Sequence, residues 1–255
     1  MILAVDIGNT NIVIGGFSDG KLEFVFRMAT DSRKTDFEYA VKIRDILHLT
    51  SPSGSVKGGI ISSVVPPLTS VMKSALKTVY GIDALIVAPG IKTGINLRVD
   101  NPTQVGSDLI CACVAAYDMY KPPVLITDMG TATKMMVVDE NSCFCGVSII
   151  PGVEISLKAL AGTAAQLPQI GLDAPEKVIA KNTVDCMRSG IIYGSASLVD
   201  GMIDRILSEI GGSATLVATG GLSKMIVPHC VHNIILDENL ILNGLYIIYT
   251  KNQQN

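Results

Sequence analysis

One short pattern occurs twice in this chain and limits the folds that the chain can form. An apolar, strand-like run ends in Asp6, a polar turn with Gly8 follows, and a second apolar run begins. The same order returns 122 residues later, where an apolar run ends in Asp128 and Gly130 lies in the turn. Because this spacing is close to half of the 255 residues, we interpret the pattern as an internal duplication. We therefore expect two related domains, residues 1–120 and 121–255.

The first turn has the composition of a phosphate-binding turn. Asp6, Gly8, Asn9 and Thr10 bring a carboxylate, backbone N–H groups and a hydroxyl into one small volume. Asn and Gly are also ordinary hairpin residues, so the turn alone fits an unliganded β-hairpin equally well. Two such turns facing one cleft would present two carboxylates and two sets of amides, an arrangement suited to a metal–nucleotide.

The remaining periodicity predicts an α/β fold, with mixed sheets flanked by helices. A third strand is expected over residues 21–28, and helical and strand-like segments alternate after it. Predicted helices cover residues 36–49, 68–80, 153–161 and 239–249. Two further helices are expected, one that begins near residue 108 and one that ends near residue 210. The apolar residues of the first helix predict one buried stripe, formed by Phe37, Val41, Ile43, Ile46 and Leu47.

Composition argues against several classes of partner. The net charge is −3 and the isoelectric point is near 5.6, so no strong positive field attracts nucleic acid or anionic lipid. The first residues lack a basic segment and a cleavage site, and no apolar run is long enough to span a membrane. We expect a cytoplasmic protein with a small-molecule substrate and neither nucleic acid nor membrane as a partner.

The cysteines allow a metal cluster but do not favour one. Six are present, and four of them form C-x-C pairs at 111/113 and 143/145. Cys111 and Cys113 lie in a helix-like run, where residues two apart point to different faces. We therefore favour small buried cysteines over a cluster.

The absence of several common catalytic and nucleotide-binding motifs leaves phosphoryl transfer as the remaining chemistry. The chain has no P-loop, no dinucleotide-binding glycine motif after its first strand, and no G-x-S-x-G elbow. Its three histidines have no metal-like spacing with carboxylates. Asp6, Asp108 and Asp128 lie in polar turns and suit the tasks of charge neutralisation and orientation of an acceptor hydroxyl. Asp108 also has a structural interpretation, because an Asp beside a capping Ser107 stabilises a helix N-terminus.

The combined motifs closely resemble the type III pantothenate kinases, over essentially the whole chain. They are D-I-G-N-T at 6–10, N-P-x-x-V-G-S-D at 101–108, D-M-G-T-A-T at 128–133, P-G at 151–152, T-A-x-x-L-P at 163–168, K-N-T at 181–183 and T-G-G at 219–221. The resemblance implies two duplicated ribonuclease-H-like domains of the actin, heat-shock-protein and sugar-kinase superfamily, with the active site in the cleft between them. It also implies phosphorylation of pantothenate by ATP, the first step of coenzyme A biosynthesis, by a homodimer that uses Mg²⁺ and K⁺ or NH₄⁺.

The resemblance further implies a role for individual residues. Asp108 would be the catalytic base, Asp6 would organise Mg²⁺, and Asp128 would bind the potassium or ammonium ion. The expected ATP-binding residues are Asp6, Ile7, Gly8, Asn9, Thr10, Asn11, Ile12, Val13 and Thr131. The expected pantothenate-binding residues are Gly106, Ser107, Asp108, Leu109 and Thr183.

Two positions depart from the family pattern. Leu109 stands where the family has an Arg after the catalytic Asp, and Arg is the residue that binds carboxylates bidentately. Lys134 stands where the family has a Thr. Three interpretations are open: Lys134 partly replaces the missing Arg, takes the place of the cation, or points outward from its strand. An active kinase with altered substrate anchoring is the leading hypothesis. The alternative is a catalytically impaired paralogue that acts as a nucleotide-binding or regulatory protein.

Overall fold

The computed structural model describes residues 1–50, 55–164 and 166–253, so one variable position of the T-A-x-x-L-P motif, residue 165, lies outside them. Its contacts divide the chain into two compact units. The first comprises Met1–Ile95, Asp100–Ala115 and Asn239–Asn255, and the second comprises Asn96–Val99 and Ala116–Glu238.

The described strands form one sheet in each unit. They are β1 (Ile2–Ile7), β2 (Asn11–Ser18), β3 (Lys21–Ala29), β4 (Gly58–Ser63), β5 (Leu85–Ile86), β6 (Asn96–Leu97), β7 (Val124–Met129), β8 (Ala132–Val138), β9 (Cys143–Pro151), β10 (Thr215–Thr219) and β11 (Ile235–Leu236).

Helices flank the sheets. They are α1 (Asp36–Thr50), α2 (Pro66–Tyr80), α3 (Ser107–Met119), α4 (Val153–Thr163), α5 (Thr183–Glu209), α6 (Ser223–Ile226) and α7 (Leu240–Lys251). Single 3₁₀ turns cover Pro102–Gln104 and Val227–His229. In the described part of the chain, none of the helices combines the length and the apolarity needed to cross a membrane.

Five strands of each sheet share one topology, which agrees with the predicted duplication, and β6 is an additional edge strand of the second sheet. The first has the order β3-β2-β1-β4-β5, and the second has β11-β10-β7-β8-β9-β6. In each, three consecutive strands form an antiparallel meander, and a later strand joins parallel to the first strand of that meander. The predicted α/β class with mixed sheets is confirmed.

The buried face of α1 differs from the predicted stripe. Ile43 and Leu47 are buried as expected, but Phe37 is 65% exposed and Val41 is 46% exposed. Tyr39 is fully buried instead, and its hydroxyl group donates to the carbonyl oxygen of Asp31 at 3.0 Å. The aromatic ring packs in the core because this hydrogen bond satisfies its polar end.

Helix α7 belongs to the first unit, although it follows the whole of the second unit in the chain. It contacts β1, β2 and β4, and it buries Leu240, Leu242, Leu245 and Ile248. Gly244 lies against the backbone of Cys111 in α3, with no room for a Cβ atom. The sequence-based division at residue 120 places this helix in the second domain, whereas its apolar side chains pack in the first unit.

Candidate active site

The first hairpin places Asp6 between two neighbouring strands. Asp6 pairs with Val13 of β2 in the antiparallel ladder and with Ser62 of β4 in the parallel one. The turn that follows is fixed by a hydrogen bond from the Gly8 amide to the Asn11 carbonyl oxygen at 3.0 Å and by the Thr30 hydroxyl, which donates to the Gly8 carbonyl oxygen at 2.7 Å.

Residues 9–11 of this turn are exposed, whereas Ile7 and Ile12 are fully buried in the core. Any contact of these two isoleucines with a nucleotide therefore involves their backbone and not their side chains. The result is a rigid turn whose polar residues face solvent next to a carboxylate.

Ser107 attaches the start of α3 to the end of β4. Its hydroxyl accepts a hydrogen bond from the Ser63 amide at 3.0 Å, and it lies 3.0 Å from the hydroxyl oxygen of Ser62. Ser107 is the first residue of the helix. Its side chain binds the neighbouring strand and does not act as the expected N-cap. Because Ser62 is in register with Asp6, this attachment brings Asp108 to the strand beside Asp6.

The thiol of Cys111, in the second turn of α3, is fully buried. Burial is the main factor that raises the pKa of Cys111 well above its usual value, and the negative charges of Asp6 and Asp108 raise it further. The thiol stays protonated and adds no charge to the site.

The residues beside Asp108 have different functions. A Cβ atom at Gly106 would collide with Oδ1 of Asp108, so glycine leaves room for the carboxylate there. The Leu109 amide donates to the same Oδ1 at 2.9 Å. The Leu109 side chain is only 6% exposed and is apolar, so it provides no group that binds a substrate carboxylate.

In the second hairpin, the side chain of Asp128 is paired with that of Lys134. The two residues are opposite each other in the β7–β8 ladder, and Nζ of Lys134 lies 2.7 Å from Oδ2 of Asp128. The Lys134 side chain is 17% exposed, which shows that the outward-pointing interpretation was wrong. Thr131 lies exposed in the turn between the strands.

The glycines around the second turn permit close backbone approach. A Cβ atom at Gly152 would collide with the Thr131 carbonyl oxygen, and one at Gly220 would lie 2.6 Å from Oδ1 of Asp128. Gly220 also has a φ of +92°, which favours glycine. The helix after it, α6, has only four residues, and Gly220 leaves room for the Asp128 carboxylate.

Thr183 is the first residue of α5 in the second unit, and it is exposed. The Asn182 side chain caps this helix by accepting a hydrogen bond from the Asp185 amide at 3.0 Å. The K-N-T motif therefore has a structural function in starting α5, and it leaves the Thr183 hydroxyl at the surface.

Among the described residues, no three His, Cys, Asp or Glu side chains come together as a metal-binding group. Cys111, Cys113 and Cys143 are buried, whereas Cys145 is exposed. The four residues of the two C-x-C pairs are free cysteines.

The sequence interpretation missed the serine pair of β4. Ser62 and Ser63 hold the first turn of α3, and Ser62 also lies beside Asp6. The available signal was two hydroxyl residues at the end of a buried apolar strand, directly before a helix that begins with two prolines. No local pattern connected them with Ser107, which lies more than 40 residues away.

Comparisons with known proteins identify the family. A family model described as type III pantothenate kinase matches residues 2–205. A type III pantothenate kinase of Bacillus cytotoxicus is 42% identical over 253 residues, covering 99% of this chain and 97% of its own length. One of Moorella thermoacetica is 41% identical over 255 residues, covering 99% of this chain and 100% of its own.

The fold is also similar to that of a solved structure. A Sinorhizobium meliloti protein described as a 2-dehydro-3-deoxygalactonokinase superposes with a TM-score of 0.61 at 12% identity, covering 100% of this chain and 98% of that one. At this level of identity the likeness concerns the fold alone. The agreement of the family model with the full-length relatives confirms the resemblance found in the motifs: this chain belongs to the type III pantothenate kinase family.

Proposed function

We propose that this chain transfers the γ-phosphoryl group of ATP to the hydroxyl of pantothenate, which yields 4'-phosphopantothenate in the first step of coenzyme A biosynthesis. The observation that carries the proposal is the link between the two aspartates in a chain of this family: Ser107, which precedes Asp108, is hydrogen-bonded to Ser62, which pairs with Asp6. Positioning and charge neutralisation provide most of the catalysis in phosphoryl transfer, and two carboxylates held by neighbouring elements suit both tasks.

The turn of residues 6–13 would bind the ATP phosphates. Its exposed polar residues Asn9, Thr10 and Asn11 follow Asp6, and the hydrogen bonds of Gly8 keep the turn rigid. Thr131 offers an exposed hydroxyl in the corresponding turn of the second unit. Rigid turns with exposed amides and hydroxyls bind phosphate without a large ordering cost.

Asp6 would hold Mg²⁺, and the donor set fits this ion. Mg²⁺ is commonly bound by one or two carboxylates together with substrate phosphates, and a dedicated cage of protein ligands is not needed. Asp6 provides a hard carboxylate oxygen donor beside the exposed residues 9–11 of the turn. When bound, Mg²⁺ neutralises charge on the phosphate oxygens.

Asp108 would act as the general base. It lies in the first turn of α3, where the Leu109 amide donates to its Oδ1 at 2.9 Å. The pantothenate hydroxyl transfers its proton to Asp108 as its oxygen forms a bond to the γ-phosphorus, while the bond from that phosphorus to the ADP oxygen breaks. Gly106, Ser107, Leu109 and Thr183 are the proposed neighbours of pantothenate.

Leu109 predicts weak recognition of the pantothenate carboxylate. We expect panthenol, in which CH₂OH replaces that carboxylate, to have a KM within about tenfold of that of pantothenate, because a lost charge-assisted hydrogen bond costs roughly 1.5–3 kcal/mol and this residue offers none. Initial rates of ADP release at varied concentrations of each substrate give the ratio.

A KM ratio of about 100 or more would contradict this prediction, since it would mean that another group binds the carboxylate. Leu109→Arg is the matched variant, and it should increase the ratio. Because Leu109 is buried, the melting temperature of the Leu109→Arg variant must be measured alongside the kinetics.

The test of the proposed function is ADP release with and without pantothenate, together with detection of 4'-phosphopantothenate by mass spectrometry. We expect pantothenate-dependent release in the presence of Mg²⁺. Release that is absent, or that is independent of pantothenate, would overturn the proposal. The impaired-paralogue alternative is not favoured, because the full-length relatives are named as kinases. A cytoplasmic homodimer is part of the same proposal, and light scattering tests the dimer.

A further inference from the structure

Lys134 and Asp128 form an ion pair that is largely removed from solvent. Nζ of Lys134 lies 2.7 Å from Oδ2 of Asp128, and the two side chains are only 17% and 7% exposed. The Lys158–Glu154 pair is far more open, since its side chains are 73% and 50% exposed. A charge pair that is buried beside a substrate-binding turn affects the electrostatics of that turn more than a surface pair does.

The position of Lys134 in the hairpin is specific to the second half of the duplication. Asp128 is opposite Lys134 in its ladder, whereas Asp6 in the first hairpin is opposite Val13. Both aspartates have a buried hydroxyl residue on the other side, Thr219 for Asp128 and Ser62 for Asp6. The two aspartates therefore have similar ladder partners on one side and different ones on the other, where Lys134 adds a positive charge in the second hairpin.

The ion pair does not fit the monovalent cation that the family resemblance implies at Asp128. A potassium or ammonium ion on this carboxylate would have to share it with an ammonium group already 2.7 Å away. Two positive charges about 4 Å apart repel each other strongly where water is excluded. In the parts of the chain that the structure describes, Asp128 belongs to no group of three or more His, Cys, Asp or Glu side chains that would offset the second charge.

Close packing holds Asp128 in this arrangement. Gly220 approaches Oδ1 of Asp128 and the backbone of Met129 so closely that even a Cβ atom would not fit. The Gly130 amide donates to the Ala132 carbonyl oxygen at 3.1 Å, which closes the turn beside the ion pair. Asp128 therefore lies at a closely packed position beside the turn that carries Thr131.

We infer that the Lys134 ammonium group is a tethered monovalent cation, which neutralises Asp128 and makes nucleotide binding at the 130–131 turn independent of added K⁺ or NH₄⁺. Lys134 is a positioning residue, because it acts through Asp128 and this turn. The inference rests on the proposed kinase function for its kinetic test, but the proposed replacement of the cation can also be measured without turnover.

The kinetic test compares turnover in sodium or tetramethylammonium buffers with and without KCl or NH₄Cl. We expect the native chain to change by less than about twofold, since a cation that does not bind shifts no equilibrium. Lys134→Thr should lose at least about tenfold in kcat/KM for ATP without KCl and regain most of it with KCl or NH₄Cl. Lys158→Thr, which removes an exposed ion pair, is the matched control and should behave as the native chain does.

Thermal melting of the nucleotide-free protein provides the second measurement. The melting temperature of the native chain should respond equally to KCl and to NaCl, whereas that of Lys134→Thr should be lower and should rise selectively with KCl. If Lys134→Thr does not fold, Lys134→Gln replaces it in both measurements, and Lys134→Arg should remain independent of K⁺.

Selective activation or stabilisation of the native chain by K⁺ would overturn the inference. So would a folded Lys134→Thr variant that neither loses activity nor responds to K⁺. If the native chain has no turnover under any condition, the proposed function fails, while the melting comparison still decides whether Lys134 takes the place of the cation.

Discussion

Asp108→Asn is expected to lower kcat by about 10³-fold, because general-base catalysis typically contributes 10²–10⁴-fold. The amide cannot accept the proton of the pantothenate hydroxyl, although it has nearly the same size and still accepts the hydrogen bond from the Leu109 amide. The KM for ATP should change by less than about threefold, since the proposed role of Asp108 is in the chemical step. Steady-state ADP release with both substrates varied measures the two parameters.

Asp118→Asn is the matched control for this variant. Asp118 lies near the other end of the same helix, α3, and is exposed. Both variants should melt within a few degrees of the native protein, so that a loss of activity is not mistaken for unfolding. If Asp108→Asn retained more than about a tenth of the native kcat, the assignment of Asp108 as the base would be wrong.

Gly244→Ala is expected to destabilise the protein by about 2–3 kcal/mol, the upper range for overpacking a tight interior. An added Cβ atom would collide with the carbonyl oxygen of Cys111 and lie 2.6 Å from its carbonyl carbon. Backbone atoms cannot rotate away as a flexible side chain can, so α7 would have to move from α3. We expect the melting temperature to fall by roughly 5–10 °C, measured by circular dichroism or calorimetry.

Gly212→Ala serves as the control for the same change. Gly212 is exposed, and an added Cβ atom there would have no heavy atom within 4 Å, apart from its neighbours in the chain. Its free energy of unfolding should change by no more than about 0.5 kcal/mol. Equal stability of the two variants would contradict the close packing of α7 on α3. Activity should fall with Gly244→Ala as well, because α3 carries Asp108.

Much of the fold followed from local patterns. The hairpins around Asp6 and Asp128 were predictable because apolar runs separated by Gly-containing turns specify antiparallel pairs. The pairing of Asp128 with Lys134 was also available from the sequence, since a turn centred near residue 131 places these two residues opposite each other and on the same face. This register alone favours a Lys134 side chain that faces Asp128.

Other features could not be predicted because they depend on distant parts of the chain. The stripe of α1 was only partly correct, since periodicity does not tell which of several apolar residues the sheet and α2 will cover. The attachment of Ser107 to Ser62 and Ser63, which positions Asp108, joins segments with no shared local signal. The effect of Asp6 on the pKa of Cys111 likewise joins parts of the chain that are far apart in sequence.

The membership of α7 in the first unit sets an order of events during protein synthesis. The ribosome makes the whole of the second unit, up to Glu238, before it makes the helix that completes the core of the first. The second unit can therefore finish folding while the unit that carries Asp6 and Asp108 still exposes the apolar surface that α7 will cover. A chain whose synthesis stops before residue 240 would consequently contain every proposed catalytic residue and still lack a complete catalytic unit.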